Sequence, residues 1–243
     1  MIGVSRENAV VTLELQRHEK RNALNTELCN GIREGIAEAI TGDARAVVIT
    51  GAGTAFCAGA DLSGDAYAAS FPEALVNMLR AIESAPMPVI AAINGPAVGA
   101  GCQLALACDL RAVAPEGSFE VPVARVGLAL DNWSIKRLSA LVGGGFARSI
   151  LLGAERIGAE RALAVGLANR GADLAAAQQW AAELAGLAPL TMRHLKLVLN
   201  DDHSHDEPTD DQFMAFCSAW SSEDVKEARR ARAEKRAPAF QGR

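Results

Sequence analysis

A chain of 243 residues that is 50% hydrophobic and 22% charged lies in the globular range and is long enough for one large domain with appended helices. A formal net charge of -5 argues against general binding to nucleic acid or to an anionic membrane, while leaving room for a local basic patch toward a phosphorylated ligand. Cys29, Cys57, Cys102, Cys108 and Cys217 are odd in number and form no CxxC pair, the pattern of a reduced, cytoplasmic compartment rather than a disulfide framework.

The first residues lack the apolar core and cleavage site of a signal peptide and are expected to begin a mature protein. Residues 9 to 15 alternate as a strand, followed by a polar loop over 16 to 22 containing Arg17, Lys20 and Arg21. Asn25 is an N-cap for a helix reaching Gly42, with Leu28, Ile32, Ile36 and Ile40 at helical spacing. Residues 46 to 50 form the next strand, which runs into a glycine- and alanine-rich loop ending at Leu62. There the small residues Ala58, Gly59 and Ala60 let the main chain face a ligand directly. Residues 63 to 71 read as irregular, and 72 to 84 as a helix with Leu75, Met78, Leu79 and Ile82 on one side.

Val89 to Ile93 read as a buried strand bounded by Pro88 and Asn94-Gly95-Pro96. Gly99, Ala100 and Gly101 then open an apolar helix whose first-turn N–H groups lack intrahelical acceptors, which suits an oxyanion site; tight strand-to-helix packing is the other reading of these glycines. Their spacing fits neither a dinucleotide fingerprint nor a phosphate loop. The apolar run from Met87 to Cys108 is broken by Asn94-Gly95-Pro96 and carries Gln103, so it reads as core rather than a transmembrane segment. A strand over 110 to 114, a turn over 115 to 118 and an ordered loop over 119 to 130 follow. Asp131 and Asn132 are placed to cap a helix that stops at Gly143-Gly144-Gly145. Helices are expected at about 147 to 152, 159 to 165, 173 to 186, 190 to 199, 209 to 219 and 222 to 236. His203 and His205 lie in an acidic stretch that reads as an exposed loop, and no metal site is expected.

Several stretches in order resemble the crotonase, or enoyl-CoA hydratase/isomerase, superfamily. They are Lys20-Arg21-Asn22-Ala23-Leu24-Asn25, Phe56-Cys57-Ala58-Gly59-Ala60-Asp61-Leu62, Ala92-Ile93-Asn94-Gly95-Pro96 with Gly99-Ala100-Gly101-Cys102, Gly127-Leu128, and Ser222-Glu223-Asp224 with Glu234-Lys235-Arg236. The resemblance covers nearly the whole chain. It implies an α/β spiral of ββα units over 1 to 185, and a C-terminal helical oligomerisation subdomain over 186 to 243 that builds a homotrimer or hexamer. The implied ligand is a fatty acyl-CoA or enoyl-CoA thioester, with coenzyme A part of the ligand and no separate cofactor. The family holds the thioester oxygen on two backbone N–H groups, which by position belong to Ala60 and Ala100. This agrees with the chemistry, since charge develops on one oxygen and preorganised donors stabilise it. Arg21, Ala23, Ala58, Asp61 and Leu62 correspond to the coenzyme A loop. Arg17, Lys20 and Arg21 either face the nucleotide phosphates or form a solvated loop.

The same resemblance exposes a departure. Hydratases place two glutamates at positions that fall on Gln103 and Val123, and neither side chain can take a proton from water at neutral pH. Asp131 resembles the aspartate of dienoyl-CoA isomerases and aroyl-CoA dehalogenases, or else simply caps its helix. Val123, Leu128 and Trp133 would line the acyl pocket, Trp133 otherwise filling core. The expected function is an acyl-CoA carrier or binding protein serving enzymes of fatty-acid synthesis or oxidation. The alternative is an enoyl-CoA isomerase or weak hydratase using Asp131 or Gln103.

Overall fold

The computed structural model describes residues 1–62 and 70–242. Residues 63–69, most of the stretch expected to be irregular, lie outside the described residues, and 70 and 71 already belong to a helix. In chain order the strands are β1 (Ile2–Glu7), β2 (Val10–Leu15), β3 (Ala46–Gly51), β4 (Val89–Ile93), β5 (Pro96–Val98), β6 (Leu110–Val113), β7 (Ser118–Glu120), β8 (Ile157–Gly158) and β9 (Arg170–Gly171). The helices are α1 (Thr26–Thr41), α2 (Ser70–Ser84), α3 (Ala100–Ala107), α4 (Asn132–Leu151), α5 (Ala159–Ala164), α6 (Leu174–Ala185), α7 (Pro189–Leu199), α8 (Asp210–Ser221) and α9 (Glu223–Ala233). These form two compact units: Met1–Glu120 with Ile157–Asp201, and Val121–Arg156 with Asp202–Arg243.

The first unit is built on a six-stranded sheet in the order β1-β2-β3-β4-β6-β9. Only the β1–β2 pairing in it is antiparallel; the strands from β2 onward run parallel, with Leu13 beside Ile49 and Ile49 beside Ala91. Every residue of β3 and β4 is buried, as parallel strands covered on both faces require. One face packs Val10, Val48, Ile90 and Ala112 against Ala177, Trp180 and Ala181 of α6. Asn25 caps α1 as expected, accepting from the Leu28 N–H at 2.9 Å, but Ile40 at the far end of the apolar repeat is exposed.

A smaller sheet pairs β5 parallel to β7, and β7 antiparallel to β8. These pieces, and β1, are not expected from the sequence. The strands β5 and β7 have only three residues each, too few to show a period, and β1 is a polar edge strand exposed from Val4 to Glu7.

Helix α7 is tied to this unit through Lys196. Its buried Nζ donates to the Ile82 carbonyl at 2.9 Å, the Met87 carbonyl at 3.2 Å and Asp109 Oδ2 at 2.8 Å. Asp109 Oδ2 also accepts from the Val89 N–H at 2.7 Å, so the cation fixes the entry to β4. Lys196→Ala is expected to lower stability by about 3 kcal/mol in urea denaturation, because a buried pair loses its cation; a loss below about 0.5 kcal/mol would put the network at the level of a surface pair.

In the second unit α4 is interrupted rather than ended at its glycines. Gly143 leaves helical geometry (φ 74, ψ 150), and the chain turns helical again as far as Leu151. The helix expected at 147 to 152 is therefore the second half of α4. Arg137 on α4 donates to Asp202 Oδ2 at 2.7 Å, both side chains being largely buried. Burial opposes the Asp202 carboxylate, yet hydrogen bonds from Ser204 and Arg137 outweigh it and hold its pKa below the usual value. A carboxylate whose pKa is depressed on folding adds stability above its unfolded pKa of about 3.9, and that stability is lost as pH falls through the folded value. Wild type is thus expected to lose more stability than Asp202→Asn between neutral pH and the acid range, as read by thermal unfolding against pH. Parallel curves would refute the assignment. Near the C-terminus, Arg236, the Ala239 N–H and Arg230 converge on Glu227 and push its pKa far down against the effect of burial.

Candidate thioester-binding site

Two asparagines hold the loop after β3. Asn22 is fully buried; its Nδ2 donates to the Ala52 and Ala55 carbonyls at 2.9 and 2.8 Å, and its Oδ1 accepts from the Arg17 N–H at 3.0 Å. Asn94 reaches the same loop from the end of β4, donating to the Gly51 and Gly53 carbonyls at 2.8 and 3.0 Å. Beyond this loop the chain from Cys57 to Asp61 runs between two neighbours. On one side the Cys57 N–H donates to the Pro96 carbonyl at 3.1 Å, and the Val98 N–H to the Cys57 carbonyl at 2.9 Å. On the other, the Leu24 N–H donates to the Gly59 carbonyl at 2.7 Å, and the Asp61 N–H to the Leu24 carbonyl at 2.8 Å. The polar loop expected at 16 to 22 and the two glycine-rich loops are thereby brought into one place.

Each proposed donor follows a glycine with positive φ: Gly59 (φ 99) before Ala60, and Gly99 (φ 53) before Ala100. These conformations are rare for residues with a Cβ. A methyl group on Gly59 would lie 2.9 Å from the Val98 carbonyl oxygen and 3.9 Å from the Ala100 nitrogen, which places the two loops in direct apposition. Among the described residues, neither the Ala60 nor the Ala100 N–H makes a hydrogen bond to the protein. Ala100 opens α3, where the first N–H groups lack intrahelical acceptors. Gly99 itself is held by its N–H to the Glu120 carbonyl at 2.8 Å. The result is two main-chain nitrogens on adjoining, braced loops; preorganised donors stabilise a carbonyl oxygen gaining negative charge where both point at it.

All of α3 is buried, and Gln103, in its first turn, is 6% exposed. The thiols of Cys57 and Cys102 are pushed up to about 12 by burial, so neither is a nucleophile at neutral pH. Among the described residues no cluster of His, Cys, Asp and Glu could hold a metal.

The coenzyme A residues named from the sequence lie on this same backbone. Arg21 (φ 50) is exposed and accepts from the Ala58 N–H at 3.0 Å, Ala23 is buried, and Leu62 is half-buried. Asp61 is buried and its carboxylate meets Arg17 Nη2 at 2.7 Å. Arg17 is thus largely buried and paired with Asp61 rather than solvated. Sequence reasoning missed this pair, whose partners are 44 residues apart.

In the second unit, Val123 opens a 3-10 turn (Val123–Val126) and its carbonyl accepts from the Leu128 N–H at 3.0 Å. Asp131 caps α4: Oδ1 accepts from the Ser134 N–H at 2.9 Å, and Oδ2 from the Ser134 hydroxyl at 2.8 Å. Asp131 is thus the N-cap of α4, as its position in the sequence suggested. The Trp133 ring lies 6.3 Å from that of His205.

Residues 5–243 match the enoyl-CoA hydratase/isomerase family model. The chain is 57% identical over its full length, and over the full length of the relative, to a probable enoyl-CoA hydratase, echA6, of Mycobacterium tuberculosis. It is 32% identical to the mitochondrial Delta(3,5)-Delta(2,4)-dienoyl-CoA isomerase of Mus musculus, covering 96% of this chain and 79% of that one. Among solved structures, an enoyl-CoA hydratase/isomerase from Pseudoalteromonas atlantica superposes with TM-score 0.89 at 30% identity, covering 99% of each chain. A methylmalonyl-CoA decarboxylase in complex with 2-nitronate-propionyl-CoA superposes with TM-score 0.89 at 25% identity, covering 100% of this chain and 98% of that one. With its α/β architecture and C-terminal helices, this chain belongs to the enoyl-CoA hydratase/isomerase family and has the crotonase fold.

Proposed function

We propose that this protein binds fatty acyl-CoA or enoyl-CoA thioesters, with the thioester oxygen on the Ala60 and Ala100 N–H groups, and that it carries them rather than hydrating them. The observation that carries the reading is the pair of apposed donors, unengaged among the described residues and each behind a positive-φ glycine, beside a first turn of α3 that offers Gln103. Val123 is the counterpart of the second hydratase glutamate, and Asp131 is engaged as a helix cap. The backbone around Arg21, Ala23, Ala58, Asp61 and Leu62 takes the coenzyme A moiety. The cargo passes to enzymes of fatty-acid synthesis or oxidation in the cytoplasm.

The C-terminal region from 186 serves assembly into a homotrimer or hexamer. In support, α7 leaves Leu190 79% and Leu199 71% exposed, a surface that water disfavours. Among the described residues no helix is long and apolar enough to cross a membrane.

A second reading, a slow hydratase or an isomerase working through Asp131 or Gln103, is favoured by the names of the relatives. Calorimetry with acyl-CoAs of graded chain length, run beside turnover assays on enoyl- and dienoyl-CoA, decides between them. Tight binding with turnover near background is expected. Fast turnover that collapses in Asp131→Asn would replace the carrier reading with the enzymatic one, and no binding at high micromolar ligand would remove both.

A further inference from the structure

The Arg17 side chain is 15% exposed and that of Asp61 9%, and the pair closes at 2.7 Å through Nη2 and Oδ2. Arg17 Nη1 donates at the same time to the Ala23 carbonyl at 2.9 Å. One guanidinium thus grips the residue before Leu24 and the residue after Ala60. Between those points lie the two bonds from the Leu24 N–H to the Gly59 carbonyl and from the Asp61 N–H to the Leu24 carbonyl. In a parallel bridge these bonds bracket residue 60, so its own N–H and C=O face the opposite side, away from Leu24.

We infer that the Arg17–Asp61 ion pair is a positioning element for the thioester site: it locks the Leu24–Ala60 bridge and so fixes the direction of the Ala60 N–H. The inference rests on the proposed thioester binding at Ala60 and Ala100. The single bridge is too short to keep its own register, and a planar fork spanning both chains supplies what a longer ladder would. Lysine cannot reproduce it, because one ammonium at the end of a flexible stem does not present two parallel donors. Removing either charge leaves the other largely buried, so the bracket shifts and the donor loses alignment with the oxygen.

The test compares octanoyl-CoA with an S-octyl-CoA thioether, which has no carbonyl oxygen, by calorimetry on the intact protein. The affinity ratio of thioester to thioether reports the oxygen contact, and losses shared by both ligands cancel. In Arg17→Lys and in Asp61→Asn the ratio is expected to fall about fivefold to tenfold, the equivalent of one well-aligned hydrogen bond. In parallel, the carbonyl stretch of bound, isotope-labelled octanoyl-CoA should move back toward its frequency in solution. Arg17→Met serves as a harsher variant, and thermal unfolding verifies that each protein is folded; should Met at this position prevent folding, the two milder variants carry the test. A wild-type ratio and stretch retained in both Arg17→Lys and Asp61→Asn would overturn the positioning role alone. A wild-type protein that binds the two ligands equally would overturn the thioester reading itself.

Discussion

Gly101→Ala is expected to abolish thioester binding in calorimetry and to lower stability by about 1–3 kcal/mol, the range for forced overpacking. The added methyl would lie 2.2 Å from the Cys57 carbonyl oxygen and 2.8 Å from the Cys57 Cβ. The main clash is with backbone, so no side-chain rotation relieves it. The first turn of α3 must then move away from the Cys57–Ala60 segment, carrying the Ala100 N–H away from that of Ala60. Gly145→Ala provides the contrast: a methyl there meets nothing within 4 Å, and the substitution should be neutral or stabilising by up to about 1 kcal/mol. Retained binding in Gly101→Ala would show that the two loops need not touch for the site to work.

The double variant Gln103→Glu, Val123→Glu is expected to hydrate crotonyl-CoA at least about 100-fold faster than the parent, the lower end of what a positioned acid or base contributes. Position 103 is almost fully buried, and burial raises a carboxyl pKa toward the range useful for proton exchange near neutral pH. Gln103→Glu alone should gain much less, because hydration needs a proton delivered as well as one removed. If the double variant binds acyl-CoA as the parent does yet gains no hydration, the proposal that Gln103 and Val123 stand in for two hydratase glutamates is overturned.

The strands and helices with clear periods were legible in the sequence, from the Asn25 cap of α1 to the buried β3 and β4. So were the two glycine-rich loops, which lie where the sequence put them, with positive φ at Gly59 and Gly99. The elements that escaped are those whose cause is tertiary. The strands β5 and β7 exist because Pro96–Val98 and Ser118–Glu120 pair with each other, not because three residues prefer extended backbone. Gly143 interrupts α4 without ending it. Arg17 read as solvated or phosphate-facing because nothing local indicates that its partner is Asp61, whereas Asp131 read correctly as a cap since its partner, Ser134, is only three residues away.

The placement of the two donors behind Gly59 and Gly99 has an implication for how substitutions distribute in this protein. The atoms proposed to act are main-chain nitrogens, which every residue except proline supplies, so positions 60 and 100 can change identity while the N–H stays. The constraint falls one residue upstream, on side chains that are absent. A saturation scan selected for acyl-CoA retention would then show its sharpest intolerance at 59 and 99, and at 60 and 100 broad acceptance of small residues with proline excluded.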